Sequence, residues 1–289
     1  MHWPLTSPPV SPAEIPFYNL HYLHACDTPS DPTILWGTQI DAEALESYVR
    51  ERNGSGGPLI SAAHVLVQAV GRALEEHPRL NSRVVGHRIY RYRDVNVRIM
   101  VYDKRRNETD VLLIPGADRM PLADIARIVW GSQCQSAGGA LPMDRDKQRI
   151  RRLPGALFRW ILRAYLWLDR NFRLPGVGRI DRLSHAPVLV NYLSFPDAPP
   201  MRLYKPSKYP DESSHLSLTM GRIEEMPVVH EGEICVRRTA PLFVRADHRL
   251  ADPYLLARFL STLCKHLSHP EALEPQQPVV AKEGACAAA

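Results

Sequence analysis

Residues 245–260, RADHRLADPYLLARFL, carry the strongest chemical signal in the chain. A strand-like apolar run ends at His248, and Asp252 follows four residues later, where a helix is predicted to begin. A histidine titrates near neutral pH and can exchange a proton, while a carboxylate near the turn can hold the backbone or an arginine. The pattern therefore indicates a general base. It also fits an ordinary turn in which Asp252 caps a helix and His248 lies on the surface.

The rest of the chain alternates between strand-like and helical periods. The run from Ser61 has the helical period, with Ser61 as its cap and Pro78 at its end. Strand-like runs include TILWGTQI and APVLVNYLSF, and near the end two separate strands, EICVRRTA and PLFVRAD, are predicted. Many strands mixed with a few long helices predict an α/β (α+β) sandwich, a mixed sheet flanked by helices.

The domain organisation follows from composition. Five prolines in residues 1–16 predict an extended N-terminal arm, residues 17–273 a single domain, and residues 274–289 a flexible tail. The 289 residues are 45% hydrophobic and 23% charged, which excludes collagen-like and wholly disordered classes. No CxxC pair occurs among the five scattered cysteines, and the N-terminus lacks the pattern of a secretory signal. We therefore expect a cytoplasmic protein.

The basic charge is concentrated in one segment. Residues 144–182 contain eleven basic and four acidic residues, a net charge of +7, whereas the rest of the chain has 25 basic and 27 acidic residues, a net charge of −2. Within it, residues 155–173 predict a basic amphipathic helix whose arginines recur too often for a membrane span. It can pack against the domain or a neighbouring subunit, or contact a membrane or lipid. Nucleic-acid binding is not expected, because no aromatic-platform motif accompanies the charge.

The stretch DHRLADPYLLARFLSTLCKHLSHPEAL resembles the end of the catalytic domain of the 2-oxoacid dehydrogenase acyltransferases, the dihydrolipoamide acyltransferase family. That family has a DHRxxDG motif followed by an ARFL-like helix, and Asp247, His248, Arg249 and Asp252 match the motif. Four further stretches match in order: QAVGRALEEHPRLNS, YRDVNVRIMV, VLLIPGADRMPLADIARI and GRIEEMPVVHEGEICVRRTAPLFV. The resemblance covers roughly residues 33–135 and 186–273, and an ordered series is far more specific than one motif.

The resemblance implies a chloramphenicol-acetyltransferase-like fold and a homotrimer with its active sites between subunits. Acyl-CoA would be a substrate, with no tightly bound cofactor and no metal, and His248 would deprotonate an acceptor that attacks the thioester directly. The family stabilises the oxyanion with a Ser or Thr where this chain has Asn191, and Ser194 is the alternative donor. Asn191 can equally be a buried residue that pairs with a neighbouring strand. Asn81 and Arg249 are assigned to substrate binding.

Three departures from the family pattern affect the expected function. Pro253 replaces a glycine of the motif, residues 141–185 are an insertion, and no lipoyl domain precedes the fold. They favour a stand-alone CoA-dependent acyltransferase acting on a hydroxyl, amine or thiol acceptor, peripheral to a membrane if residues 155–173 dock there. The alternative is a catalytically inactive trimeric scaffold.

A separate cluster of potential metal ligands lies near the N-terminus: His21, His24, Cys26 and Asp27. Its spacing matches no common metal site.

Overall fold

The computed structural model describes residues 9–11, 14–15, 33–103, 108–138, 154–172, 186–194, 199, 201–203 and 214–274. The helices in this part of the chain are α1 (Glu43–Gly54), α2 (Ala62–Glu76), α3 (Leu122–Gly138), α4 (Gly155–Asn171) and α5 (Pro253–Ser268), followed by a short 3₁₀ helix at Pro270–Leu273. The strands are β1 (Thr33–Asp41), β2 (Ser82–Val85), β3 (Arg88–Arg91), β4 (Val97–Asp103), β5 (Glu108–Ile114), β6 (Val188–Tyr192), β7 (Leu216–Met220), β8 (Glu224–His230) and β9 (Glu233–Asp247).

Seven of these strands form one mixed sheet with the order β1-β9-β7-β6-β4-β5, and β8 pairs with the first half of β9. The central pairs β7–β6 and β6–β4 are parallel, whereas β1–β9, β9–β7 and β4–β5 are antiparallel. The two remaining strands, β2 and β3, form a separate hairpin. The α/β sandwich with a mixed sheet flanked by helices is therefore confirmed.

One strand prediction is wrong: the two runs EICVRRTA and PLFVRAD form the single strand β9. Pro241 does not interrupt β9 because it lies where the neighbouring strand changes, between the end of β8 pairing at Thr239 and the start of β7 pairing at Leu242. Its carbonyl faces that side and accepts a hydrogen bond from Gly221 N–H. The N–H that proline lacks would face the same residue, so one hydrogen bond is absent at the end of the β7 pairing, while the pairing of β9 with β1 on the other side continues through Pro241, opposite Gln39.

The core lies between the sheet and helices α1, α2, α3 and α5. Helix α2 is buried on nearly all sides, as the spread of its apolar residues predicts, and contacts α3, α5 and β4. It approaches the loop before α3 so closely that a Cβ on Gly71 would lie 2.6 Å from the Ala117 carbonyl carbon. The helix begins after Ser61 and ends at Glu76, before Pro78, as predicted.

The hairpin of β2 and β3 carries two peripheral segments. The N-terminal arm contacts it through Val10 N–H, which donates to the Ile89 carbonyl, and through an ion pair between Glu14 and Arg91. Helix α4 contacts β2 and the Gly86 turn. The predicted helix at 155–173 thus forms at Gly155–Asn171. Within the described ranges, no helix is both long and apolar enough to cross a membrane.

The domain boundaries stay predictions. Only residues 9–11 and 14–15 of the predicted arm and residues 154–172 of the predicted insertion at 141–185 are described. The tail predicted at 274–289 lies outside the described residues beyond Glu274, as do His21, His24, Cys26 and Asp27.

Candidate active site

His248 follows β9 directly and lies in a tight turn before α5. The turn is closed by the N–H groups of Leu250 and Ala251, which both donate to the Asp247 carbonyl. The ring of His248 is buried, and its Nδ1 lies 2.8 Å from the Ala251 carbonyl oxygen. Because a carbonyl only accepts, Nδ1 carries the proton and Nε2 carries the lone pair of the neutral ring. The local backbone thereby selects the tautomer that a base needs.

Asp247, the last residue of β9, anchors this turn. Its carboxylate accepts hydrogen bonds from Arg249 N, Nε and Nη2 at 3.0, 3.0 and 2.7 Å, and His215 Nδ1 lies 3.0 Å from Oδ2. Burial alone would raise the pKa of Asp247, but the bonds from His215 and Arg249 and the charge of Arg249 outweigh burial and hold that pKa well below its ordinary range. Asp247 is therefore a fixed anion beside the candidate base.

His215 completes the anchor and has a defined tautomer. The Val84 N–H of β2 donates to its Nε2 at 3.0 Å, so Nε2 is the acceptor and the proton lies on Nδ1, facing Asp247. The residue is buried just before β7, 32 positions from Asp247. The sequence interpretation missed it, because no local motif marks a histidine that meets its partner only through strand pairing.

Asp252 caps helix α5. Its Oδ1 accepts from Leu255 N–H at 2.8 Å, and Oδ2 lies 3.7 Å from Arg79 Nη2. Pro253 occupies the first turn of α5, where a proline costs no hydrogen bond. The expectation that Asp252 holds the backbone or an arginine matches both contacts. Both contacts also fit the alternative in which Asp252 is an ordinary helix cap. That alternative expected His248 on the surface, whereas His248 is buried.

Arg249 and Asn81 lie close to this end of β9. The guanidinium of Arg249 is bound to Asp247, yet Arg249 also lines a small cavity next to the turn, together with Arg79, Ser82 and Leu250. Asn81, between Arg79 and Ser82, is buried, and its Nδ2 lies 3.4 Å from the Asp94 carbonyl. Their assignment to substrate binding stays a prediction.

Asn191 lies far from His248 within one chain. It is buried in β6, and its Nδ2 donates to Thr219 Oγ1 of β7 at 3.3 Å. Thr219 is paired in turn with Phe243 of β9, five residues before His248. At about 3.3 Å per residue, this separates Asn191 and His248 by about 16 Å along the strand direction. One chain therefore does not bring the proposed base and the proposed oxyanion donor together.

Ser194, the alternative donor, follows β6 and is exposed. Burial raises the pKa of the nearby Tyr192, although its hydrogen bond with the Ser194 side chain opposes that rise. As for metals, no group of three or more potential ligands that could hold an ion occurs among the described residues.

The fold of this chain is that of known acyltransferases. The chain is similar to a probable dihydrolipoamide acetyltransferase from Listeria monocytogenes (20% identity, 85% of this chain and 87% of that chain, TM-score 0.57). It is also similar to the dihydrolipoamide acetyltransferase of Azotobacter vinelandii (18% identity, 88% of this chain and 87% of that chain, TM-score 0.59). The roles of a serine, a histidine and an asparagine in the catalytic mechanism of that enzyme have been investigated. A chloramphenicol acetyltransferase shares the fold as well (13%, 86% and 93%, TM-score 0.51).

The family model for the 2-oxoacid dehydrogenases acyltransferase (catalytic domain) matches residues 28–143 and 216–274, more than half of the chain. The protein belongs to this family and is an acyltransferase by descent, as the sequence resemblance predicted. The matched ranges include His248 and Asp252 but omit β6 with Asn191 and the basic helix α4. No curated protein matches the chain significantly.

Proposed function

We propose that the protein transfers an acyl group from acyl-CoA directly to a hydroxyl, amine or thiol acceptor, with His248 as the base. The observation that carries the proposal is the bond from His248 Nδ1 to the Ala251 carbonyl, which gives Nε2 the lone pair. Asp247, one residue away, accepts hydrogen bonds from the backbone and the guanidinium of Arg249 and so holds the turn that positions the His248 ring.

The reaction needs no covalent intermediate on the enzyme. His248 Nε2 removes the proton from the acceptor as its O, N or S atom attacks the thioester carbonyl carbon, and the carbonyl electrons move onto oxygen. The tetrahedral oxyanion then collapses, the C–S bond breaks, and the CoA thiolate takes the proton back from the imidazolium. The products are the acylated acceptor and CoA, and the histidine returns to its starting state.

The oxyanion donor would come from a neighbouring subunit. A primary amide carries two N–H groups, and the bond to Thr219 uses only one of those of Asn191. Because Asn191 lies about 16 Å from His248 along the strand direction in one chain, the pair can meet only if a second chain supplies one of them. We therefore propose a homotrimer with active sites between its subunits.

Asp252 lies four residues after the proposed base, His248. The asparagine investigated in the A. vinelandii enzyme lies four positions after the histidine, the spacing between His248 and Asp252. We assign Asp252 to the catalytic turn as the residue that fixes its backbone, on the strength of its bond to Leu255 N–H.

We assign the protein a stand-alone role, with an acceptor other than a lipoyl group attached to protein. What supports this is the interruption in the family match between residues 143 and 216, a stretch that contains the basic helix α4.

Release of CoA in the presence of an acyl-CoA and a panel of small acceptors tests the role of the base. Replacing His248 by alanine should lower kcat by about 10³-fold, the usual contribution of a general base. His269→Ala, which removes an exposed imidazole at the end of α5, should leave the rate unchanged. Equal rates for the wild type and His248→Ala would remove His248 from the mechanism. No CoA release from wild type with any donor and acceptor pair would support the inactive scaffold.

Mixed trimers test the position of the site. Neither His248→Ala nor Asn191→Ala should be active alone, but trimers refolded from an equal mixture should regain about a quarter of the wild-type activity, since one interface in each mixed trimer has both native residues. If the mixture stays as inactive as its components, the two residues do not act across an interface.

A further inference from the structure

Helix α4 exposes a large apolar surface. Six of its apolar side chains, counting the residue directly after it, are between 39% and 68% exposed: Leu157, Trp160, Ile161, Trp167, Leu168 and Phe172. Single exposed apolar residues are common, but a contiguous patch that includes two tryptophans marks an interaction surface.

The exposed and half-buried apolar and basic residues of α4 are arranged by chemistry around the helix. At about 100° per residue, the aliphatic residues Leu157, Ile161 and Leu168 form one arc, and Trp160 and Trp167 lie beside it. The next arc contains the three arginines of the helix, Arg159, Arg163 and Arg170. The order around the helix is therefore aliphatic, then tryptophan, then arginine.

The helix is held so that its apolar surface points away from the protein. Asp169 lies about a third of a turn from the apolar arc and is paired with Arg83 of β2. In addition, the Gly86 N–H of the hairpin turn donates to the Arg170 carbonyl at 2.7 Å. These contacts fix the side of the helix that faces the domain.

We propose that the exposed face of α4 docks the protein on an anionic lipid surface. The aliphatic arc would enter the acyl-chain region, the tryptophans would lie at the boundary with the headgroups, and the arginines would contact lipid phosphates. This ordered gradient follows the change in polarity across half a bilayer. A contact between two copies of the chain would not need aliphatic, tryptophan and arginine side chains in this order.

Charge favours the same partner. Residues 144–182 have a net charge of +7, while the rest of the chain has a net charge of −2, so attraction to an anionic surface is confined to this segment. Arg159 and Arg163 are exposed, and among the described residues neither has an acidic partner. Because both side chains are exposed, a phosphate can reach their guanidinium groups.

Docking would bring the catalytic end of the sheet close to the lipid surface. Arg83, which holds Asp169, precedes Val84, and the Val84 N–H donates to His215. His215 in turn bonds Asp247, the residue before His248. The lipid-binding face is thus linked to the candidate base through β2. Docking itself does not rest on the proposed reaction, and it is tested without turnover.

The test is co-sedimentation of the full chain with phosphatidylcholine vesicles that contain about 30 mol % phosphatidylserine, compared with phosphatidylcholine alone. Two double variants probe the helix: Arg159→Gln with Arg163→Gln, and Trp160→Ser with Trp167→Ser. The matched control is Val229→Ser with Ile234→Ser, which removes two apolar side chains that are 72% and 82% exposed on the β8–β9 hairpin. Circular dichroism and sedimentation velocity confirm that each variant keeps its fold and oligomeric state.

Wild type should bind the anionic vesicles and bind neutral ones much more weakly. The arginine pair should weaken binding to anionic vesicles by about 30-fold, the tryptophan pair by at least about 10-fold, and the hairpin control should bind as wild type does. The proposal is overturned if wild type does not sediment with anionic vesicles, or if both helix variants bind as tightly as wild type. It is also overturned if the tryptophan pair changes the oligomeric state while no form binds vesicles, because the face is then a contact between subunits.

Discussion

Helices α4 and α5 have nearly the same length, 17 and 16 residues, and both alternate apolar and polar residues with the helical period, yet their apolar side chains lie in opposite environments. In α5, Leu256, Phe259 and Leu263 are completely buried. In α4, Trp160 and Trp167 are more than half exposed. The difference teaches that an apolar period predicts a helix but not what covers its apolar face.

The physical reason lies in what each helix packs against. Helix α5 begins at the Asp252 cap, directly after the turn that holds His248, and packs on α2 and α1 in the main core. Its position is fixed by burial of apolar surface. Helix α4 contacts the β2–β3 hairpin through the ion pair between Asp169 and Arg83 and through the bond from Gly86 N–H to the Arg170 carbonyl.

The largest expected effect is on the free energy of unfolding, and it differs between substitutions in α5 and in α4. Phe259→Ala in α5 should lower the free energy of unfolding by about 3–5 kcal/mol, because it leaves a cavity in a packed core. Leu168→Ala in α4 should change it by less than about 1 kcal/mol, because that side chain is already exposed. Urea unfolding of both variants measures the difference. A Leu168→Ala cost as large as that of Phe259→Ala would mean that α4 is covered.

The next effect concerns the aspartates that hold the two regions. Asp247→Asn should cost about 3 kcal/mol at neutral pH, since it leaves Arg249 buried without its anion. Because the folded state lowers the pKa of Asp247, its contribution is present above its ordinary pKa and is lost as the pH falls toward the lowered pKa, so the difference between wild type and variant should begin to shrink below about pH 4.

Urea unfolding between neutral and acid pH measures this decrease. Asp169→Asn in α4 serves as the comparison and should cost far less, because Arg83 keeps its 3.0 Å bond to the Asp169 carbonyl. A difference between wild type and Asp247→Asn that stays constant down to acid pH would contradict the assignment of a buried anion at Asp247.

The smallest expected effect on stability tests whether Asp252 acts as a helix cap or through its charge. Asp252→Ala should lower the free energy of unfolding by about 1 kcal/mol, the usual cost of losing a cap, whereas Asp252→Asn should keep nearly all of it because asparagine caps equally well. If Asp252 only fixes the backbone of the catalytic turn, Asp252→Asn should also keep the rate of CoA release. A strong loss of rate with unchanged stability would instead show that the carboxylate charge takes part in the reaction.

Much of the fold could be predicted from local patterns. The helix start at Asp252, the caps of α2 and the helix around Trp160 follow from side-chain chemistry within a few residues. The break predicted at Pro241 was wrong, because β1 pairs with β9 continuously through this residue. Strand β1 lies near the other end of the chain, so local patterns around Pro241 could not reveal this pairing.

The candidate site divides in the same way. His248 and Asp252 could be identified from the motif that they share with Asp247 and Arg249 and from the spacing of these residues. His215 could not, because it reaches Asp247 only through the pairing of β7 with β9. The separation of Asn191 from His248 was equally inaccessible, since it depends on the register of three strands.

The sequence by itself determined the family, the residue types of the catalytic turn and the concentration of basic charge in one segment, because each is a property of neighbouring residues. Only the tertiary structure decided which nitrogen of His248 holds the lone pair, which residues make Asp247 an anion, and which face of α4 is exposed. Each of these depends on groups that are distant in the chain and meet only when the sheet and its helices pack.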